Sequence, residues 1–343
     1  MDVRTDAPQI IKDFLTYTET IRGKSRKTIE EYFLDLRTFF RFIKQKRKMI
    51  PKDCPFDEIP ISDIDAGLIK TVTLSDIYDY LTYISRERPK HRKSAETTYG
   101  NTAKTRARKV SSVRSFFKYL TDKAHILDVN PAQNLDSPKT RQSMPRYLSL
   151  DDSRALLNAV SGPNKERDYC ILTLFLNCGL RVSELVGIDL QDIQEGRLRV
   201  LGKGDKERTV YLNPACINAL NDYLKVRPAL HNQDKNALFI SRLSKRIDVQ
   251  TVKWLVKKYL TGAGLDAKHY SAHKLRHTAA TLMYQNGVDI RTLQEVLGHK
   301  SVDTTMIYTH IAGENLQNAA LANPLANEVM DQKKKSDEQE KER

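Results

Sequence analysis

Residues 197–212 read RLRVLGKGDKERTVYL. In "RLRVL" and "RTVYL" apolar and polar residues alternate, a period of two that gives a strand one buried face. Between them "GKGDK" supplies glycine and aspartate where the chain must reverse, so the stretch predicts a β-hairpin. On both sides the apolar spacing is three and four, the spacing of helices. The fold class follows: mainly α with a small β-hairpin or sheet in the second half, an α+β arrangement.

Toward the C-terminus the helical pattern covers 249–261, 271–286, 289–297 and 301–311. Toward the N-terminus a helix starts at Ser149, with Asp152 at capping-box distance, and "RDYCILTLFLNCG" reads as a buried helix stopped by Gly179. Further upstream Ile29, Tyr32, Phe33, Leu36, Phe39, Phe40 and Ile43 share one helix face over about 25–45, capped by Ser25 or by Thr28 with Glu31. Two more helices follow over 74–85, with Leu74, Ile77, Tyr78, Leu81 and Ile84 inward, and over 103–121. Residues 46–70 hold three prolines and break the pattern, as a loop or insertion does. The polar stretch 130–147 shows no period and reads as a linker. The expected organisation is therefore an N-terminal helical domain 1–129, a linker 130–147, a second domain 148–322, and a charged, disordered tail 323–343.

The chain has 343 residues and a hydrophobic fraction of 40%, enough for two cores. No apolar run approaches the roughly 18 residues of a membrane span, and the first residues show no export signal. Cys54, Cys170, Cys178 and Cys216 form no CxxC pair and read as reduced, structural thiols of a cytoplasmic protein. Lys and Arg number 57 against 43 Asp and Glu, a net charge of +14. The excess is clustered: between Arg86 and Lys118 stand eleven basic residues and two Glu. Such a run is either a solvated face or a phosphate-binding one. Its single sign, beside a helix that can hold it rigid, favours phosphate, with Arg106, Arg108 and Lys109 as candidate DNA ligands.

Chemistry concentrates in "SAHKLRHTAATLMYQNG", residues 271–287. His273, Arg276, His277 and Ala280 fall on one side of this helix. His-x-x-x-His can bind zinc, but Lys274 stands where a metalloprotease needs a carboxylate base, so the metal reading fails. Arg181 in "GLRVSEL" lies past a glycine stop at the mouth of the next helix, a good place for an anion ligand. Two arginines, histidines, a lysine in a glycine hairpin and a tyrosine together suit a phosphodiester. Its transition state gains negative charge, and guanidinium groups at Arg181 and Arg276 can hold the non-bridging oxygens. A tyrosine hydroxyl, with a pKa of about 10, needs a base or a cationic site before it attacks. His273 can accept that proton, His299 can donate to a phosphate oxygen, and Lys203 can protonate the leaving 5′-oxygen. Among fifteen tyrosines, Tyr308 is singled out by its place after His299 and behind a helix start, "SVDTTM". "GRLRVLGKG" has five residues between Gly196 and Gly202, and Gly204 where Ser or Thr would hold magnesium, so it is no ATP-binding loop. No two-metal carboxylate cluster is evident, and neither a cofactor nor a metal is expected.

"GLRVSEL", "GKGDKER", "HKLRH", "LGH" and "YTH", in that order, resemble the tyrosine recombinases, the lambda integrase-like family, and most nearly its Xer-type branch. The likeness covers about 145–312 in full and the N-terminal domain more loosely. It implies catalytic residues Arg181, Lys203, His273, Arg276, His299 and the nucleophile Tyr308, with Glu184 in support and Lys206 as a DNA ligand or alternative to Lys203. It also implies a C-shaped two-domain DNA clamp, its N-terminal part a SAM-like core-binding domain. Four protomers, identical or shared with a second recombinase, would hold two inverted-repeat sites on double-stranded DNA. They would exchange strands through a 3′-phosphotyrosine link and a Holliday junction, in chromosome dimer resolution or mobile-element integration. No membrane or small-molecule substrate enters. The segment 311–326 would dock on a neighbouring subunit or pack on its own domain. The 46–70 stretch and the tail exceed what a compact member of this branch needs. Two other readings remain: a type IB topoisomerase, which relaxes one site without exchange, and a DNA-binding regulator that never cleaves.

Overall fold

A computed structural model describes residues 6–51, 53–90, 98–138, 146–202, 207–299 and 301–308. The chain divides into two compact units, Met1–Gln142 and Ser143–Arg343. Among the described residues no helix is long and apolar enough to cross a membrane.

The first unit is helical. The elements are helices α1 (Gln9–Thr20), α2 (Arg26–Lys46), α3 (Ala66–Lys70), α4 (Leu74–Arg86) and α5 (Ala103–Asp122), with a two-residue pairing of β1 (Pro89–Lys90) with β2 (Thr98–Tyr99). Ile29, Phe33, Leu36, Phe40 and Ile43 of α2 meet Val113, Phe116 and Phe117 of α5 in one core. Phe14 of α1 stands edge-on to Phe116 at 5.3 Å between ring centres, so the unassigned segment before α2 completes the bundle. Ser25 does occupy the position before α2, although its hydroxyl bonds the Thr28 side chain rather than a backbone N–H.

Three sequence expectations change here. The stretch 46–70 is not a loose insertion: Ile61, Ile64 and Ile69 fill the core, α3 is capped by Asp65, and Lys44 reaches Asp63 at 2.8 Å. On α4 the inward ring is Tyr80, while Tyr78 is 48% exposed. Of the supposed linker, Ala132 and Leu135 belong to this first core.

The second unit opens with α6 (Leu150–Asn158), whose Ser149 and Asp152 form the expected capping box. Helix α7 (Lys165–Cys178) is buried on nearly every side and ends at Gly179, whose φ of 58° is the left-handed turn that glycine adopts without strain. Then come α8 (Val182–Gly187) and an antiparallel sheet of β3 (Ile193–Gln194), β4 (Arg197–Leu201) and β5 (Glu207–Tyr211) in that order. Leu198 pairs with Val210, and both point into the core, as the alternation requires. Helix α9 (Pro214–Val226) follows, with Asn213 accepting from the Cys216 N–H. The chain continues with α10 (Val249–Gly262), α11 (Ala272–Gln285), α12 (Ile290–Leu297) and the single turn α13 (Asp303–Met306). Cys170, Cys178 and Cys216 are buried free thiols. The described residues are thus mainly helical, with one small three-stranded antiparallel sheet in the second unit, as the sequence predicts, and a two-residue strand pair in the first.

Candidate active site

The site is built on three consecutive carbonyls. Helix α12 ends at Gly298, in the left-handed conformation at φ 62°, which leaves its last C=O groups without helical partners. Arg208 Nε donates to Val296 O at 3.0 Å, Arg276 Nη2 to Leu297 O at 2.6 Å, and Arg181 Nη2 to Gly298 O at 3.3 Å. One helix terminus, negative by its dipole, thereby draws together arginines from the start of α8, from β5 and from α11.

A single carboxylate ties the three. Glu184, in the first turn of α8, accepts both Arg208 Nη groups at 2.9 Å, Arg181 Nη1 at 2.5 Å and the Arg181 backbone N–H at 2.8 Å. Arg276 lies 3.7 Å from it and also donates to Gly179 O at 2.7 Å. Burial alone would raise the Glu184 pKa, but the bonds from Arg208 and Arg181 bring it down to about 2. Burial, then the charge of Arg181, lowers Arg276 to about 10, so it stays protonated near neutrality. Three guanidinium groups against one carboxylate leave two positive charges uncompensated. Arg276 is only 2% exposed, while the Arg181 side chain stays 36% open toward an incoming anion.

Tyr308 lies within reach of the Arg276 charge. Its ring is 1% exposed and packs with Ala280, Leu293 and Leu297. Burial pushes its hydroxyl up to about 12, against the pull of the Arg276 charge. The hydroxyl meets His277 Nδ1 at 2.9 Å, and His277 Nε2 lies 3.2 Å from His273 Nε2. The ring against the tyrosine is therefore His277; His273, the acceptor expected from sequence, stands one ring further out. His299 Nδ1 pairs with the Thr305 hydroxyl at 2.9 Å, and burial followed by the charges of Arg276, Arg181 and Arg208 lowers its pKa to about 4. The Thr305 hydroxyl can donate or accept here; in the tautomer in which it donates to Nδ1, the proton of the neutral ring sits on Nε2.

Of the expected site residues the structure gathers Arg181, Glu184, His273, Arg276, His299 and Tyr308. Lys203 and Lys206 lie outside the described residues, between strands whose pairing Leu201↔Glu207 is in place. The segment after Tyr308 and the charged tail also lie outside them. On α5 the expected DNA ligands have protein partners. Lys109 is 6% exposed and its ammonium holds the buried Asp35 at 2.8 Å, Arg108 bonds Asp35 and Glu31, and Arg106 donates to Ser85 and to the Asn101 carbonyl. Lys109 is an interior cation. The exposed charges of α5 include Arg114 and Lys118.

Two residues of the site escaped the sequence reading. Arg208 shares the inward phase of β5 with Val210, and an arginine in that phase is itself the signal of a buried ion pair. The spacing of His277 from His273 suggests only a metal ligand. Among the described residues no group of three or more His, Cys, Asp or Glu side chains could hold a metal ion.

Residues 146–315 match the phage integrase family. Tyrosine recombinase XerC of Caldanaerobacter subterraneus is 55% identical over 322 residues, 94% of this chain and 88% of that protein. Tyrosine recombinase XerD of Rickettsia bellii is 30% identical, over 93% of this chain and 99% of its own length. Among solved structures, the XerH site-specific recombinase bound to its difH substrate shares the fold, with a TM-score of 0.63 at 22% identity over 90% of this chain and 84% of that one. The chain belongs to the phage integrase family, the tyrosine recombinases, as its motifs lead one to expect. Within that family it is of the Xer type, an enzyme of site-specific recombination.

Proposed function

We propose that Tyr308 attacks a backbone phosphorus of double-stranded DNA while Arg181 and Arg276 hold the non-bridging oxygens. The observation that carries this reading is the convergence of Arg181, Arg276 and Arg208 on the end of α12, beside the His277–Tyr308 pair. Each guanidinium has five N–H groups, so Arg276 keeps donors to spare beyond its two carbonyls. A fixed donor of this kind is worth about 3–4 kcal/mol of transition-state stabilisation. His299 adds an imidazole donor, Glu184 holds the arginines in register, and the tyrosine proton passes to the histidines of α11, with His273 its final acceptor. Lys203, carried over from the family resemblance, protonates the 5′-oxygen as its bond to phosphorus breaks. The phosphotyrosine formed stores the bond energy until a second 5′-hydroxyl reverses the step, so strands are rejoined without an external energy source.

The XerC and XerD relatives support recombination at paired inverted-repeat sites by four protomers, all of this chain or two of a second recombinase, through a Holliday junction. They favour chromosome dimer resolution over mobile-element integration, and with it a cytoplasmic setting. The first unit acts as the helical core-binding domain, with Lys206 an added DNA ligand at the hairpin. Covalent capture on a random library of nicked duplexes, followed by sequencing, tests the reading. Trapped sequences sharing an inverted repeat, and exchange between two such sites on one plasmid, support it. Relaxation of a one-site plasmid without exchange identifies a topoisomerase, and binding with no adduct identifies a regulator.

A further inference from the structure

We propose that His277 is a further catalytic residue, taking the Tyr308 proton at Nδ1 while it passes its own Nε2 proton to His273, so that the two rings act as one relay. The inference rests on the reading of Tyr308 as the nucleophile. It starts from two contacts in series. His277 Nδ1 lies 2.9 Å from the Tyr308 hydroxyl, and in the arrangement assigned here the phenol donates, Nδ1 accepts and the ring's hydrogen sits on Nε2. That Nε2 is 3.2 Å from His273 Nε2, which must then accept, leaving the His273 hydrogen on Nδ1. The two rings, one helical turn apart on α11, cross at 76° with centres 4.6 Å apart.

Tyr308 is buried, whereas His273 is exposed. A proton leaving the tyrosine therefore has no solvent at hand, and the imidazole of His277 spans the gap. Lys274, Arg276, His273 and His299 all bear on His277 and, after burial, disfavour its charged form. The ring is thus a poor resting place for a proton and a serviceable conduit. In the step itself the Tyr308 oxygen bonds to phosphorus as its proton moves to His277 Nδ1. The proton on His277 Nε2 moves to His273, which becomes the imidazolium. The bond from phosphorus to the 5′-oxygen breaks, and that oxygen takes a proton from the general acid. His277 ends neutral in its other tautomer, and the reverse step resets it.

The test uses the full chain on a nicked suicide duplex carrying its recovered site, with single-turnover adduct formation followed against pH. His277→Asn places an amide oxygen near the former Nδ1, able to accept from Tyr308 but unable to relay. The expected loss is about 100-fold at neutral pH, with a rate that climbs about tenfold per pH unit as hydroxide replaces the relay. A 5′-bridging phosphorothiolate, whose sulfur leaves without an acid, does not restore it. His273→Asn shows the same loss, and the double variant is no slower than either single one. For the unaltered protein on the 5′-bridging phosphorothiolate, where no proton goes to the leaving group, the rate in mixtures of light and heavy water should depend on deuterium fraction with the curvature of two protons in flight; this readout survives if a variant fails to fold. A rate within threefold of the unaltered protein, a faster one that marks the bond as a mere restraint, an equal loss at every pH, or a linear isotope dependence overturns the relay. An adduct formed by Tyr308→Phe overturns the underlying reading as well.

Discussion

Arg208 grips Glu184 through two parallel hydrogen bonds of 2.9 Å each, while its Nε holds the Val296 carbonyl at 3.0 Å. One side chain thereby joins the hairpin, the start of α8 and the end of α12. Removing one partner of a buried pair leaves an uncompensated charge, at a cost of about 3–5 kcal/mol. Arg208→Ala should lower the thermal midpoint accordingly. Arg208→Lys should recover little, because one ammonium cannot reproduce the planar fork. A midpoint within a degree of the parent for Arg208→Ala would remove the residue from the site's support.

Gly179 should not tolerate a side chain. Its φ is 58°, and a Cβ there would meet Leu297 Cδ2 at 2.8 Å. The backbone strain alone is about 1–2 kcal/mol, and Leu297 belongs to the cluster that surrounds Tyr308. Gly179→Ala is expected to reduce adduct formation along with stability, measured by single-turnover cleavage beside a thermal scan.

The acid limb of stability should have two stages. His277 and His299 are held near 4 in the fold against an ordinary 6.5, so the unfolded chain takes up protons first and stability falls as pH drops from 6.5 toward 4. Glu184, held at about 2 against an ordinary 4.5, contributes stability present above 4.5 and lost as pH falls toward 2. Its share is on the order of 3 kcal/mol. Denaturant unfolding across pH should show the upper stage shrink in His277→Asn and the lower stage shrink in Glu184→Gln.

On α5, Lys109→Met should act through stability, since it strands the buried Asp35, and should leave the salt slope of DNA binding unchanged where the protein remains folded. Arg114→Ala or Lys118→Ala should weaken binding to all sequences and reduce that slope by about 1 each if these exposed cations meet phosphates. Titrations at several salt concentrations separate the two effects.

What the sequence discloses and what it hides have physical reasons. The hairpin, the Ser149 cap and the Gly179 stop are local signals, and each is found where the residues put it. The α9 helix carries equally local signals, Asn213 as cap and Pro214 at the first turn, yet lies outside the helices expected from spacing. The 46–70 stretch hid its packing because Ile61, Ile64 and Ile69 enter the core from turns and one short helix, with no single period to reveal them. Tyr78 and Tyr80, about 200° apart on α4, border the Ile77–Ile84 stripe on opposite sides, and spacing alone does not say which ring turns inward. The same holds on α11: that a histidine faces Tyr308 was readable, but whether His273 or His277 touches it depends on how the helix is rolled against the end of α12. Lys109 was legible as a cation and not as a buried one, because its partner Asp35 lies 74 residues away.

The central claim is that the Tyr308 oxygen becomes the phosphorus ligand. It is tested most directly by trapping the protein on a nicked suicide duplex, digesting the adduct and mapping the modified peptide, alongside Tyr308→Phe. The expected result is a DNA-linked peptide carrying Tyr308, with Tyr308→Phe binding the duplex normally and yielding no adduct. A linkage on any other residue, or an adduct that survives Tyr308→Phe, would contradict it.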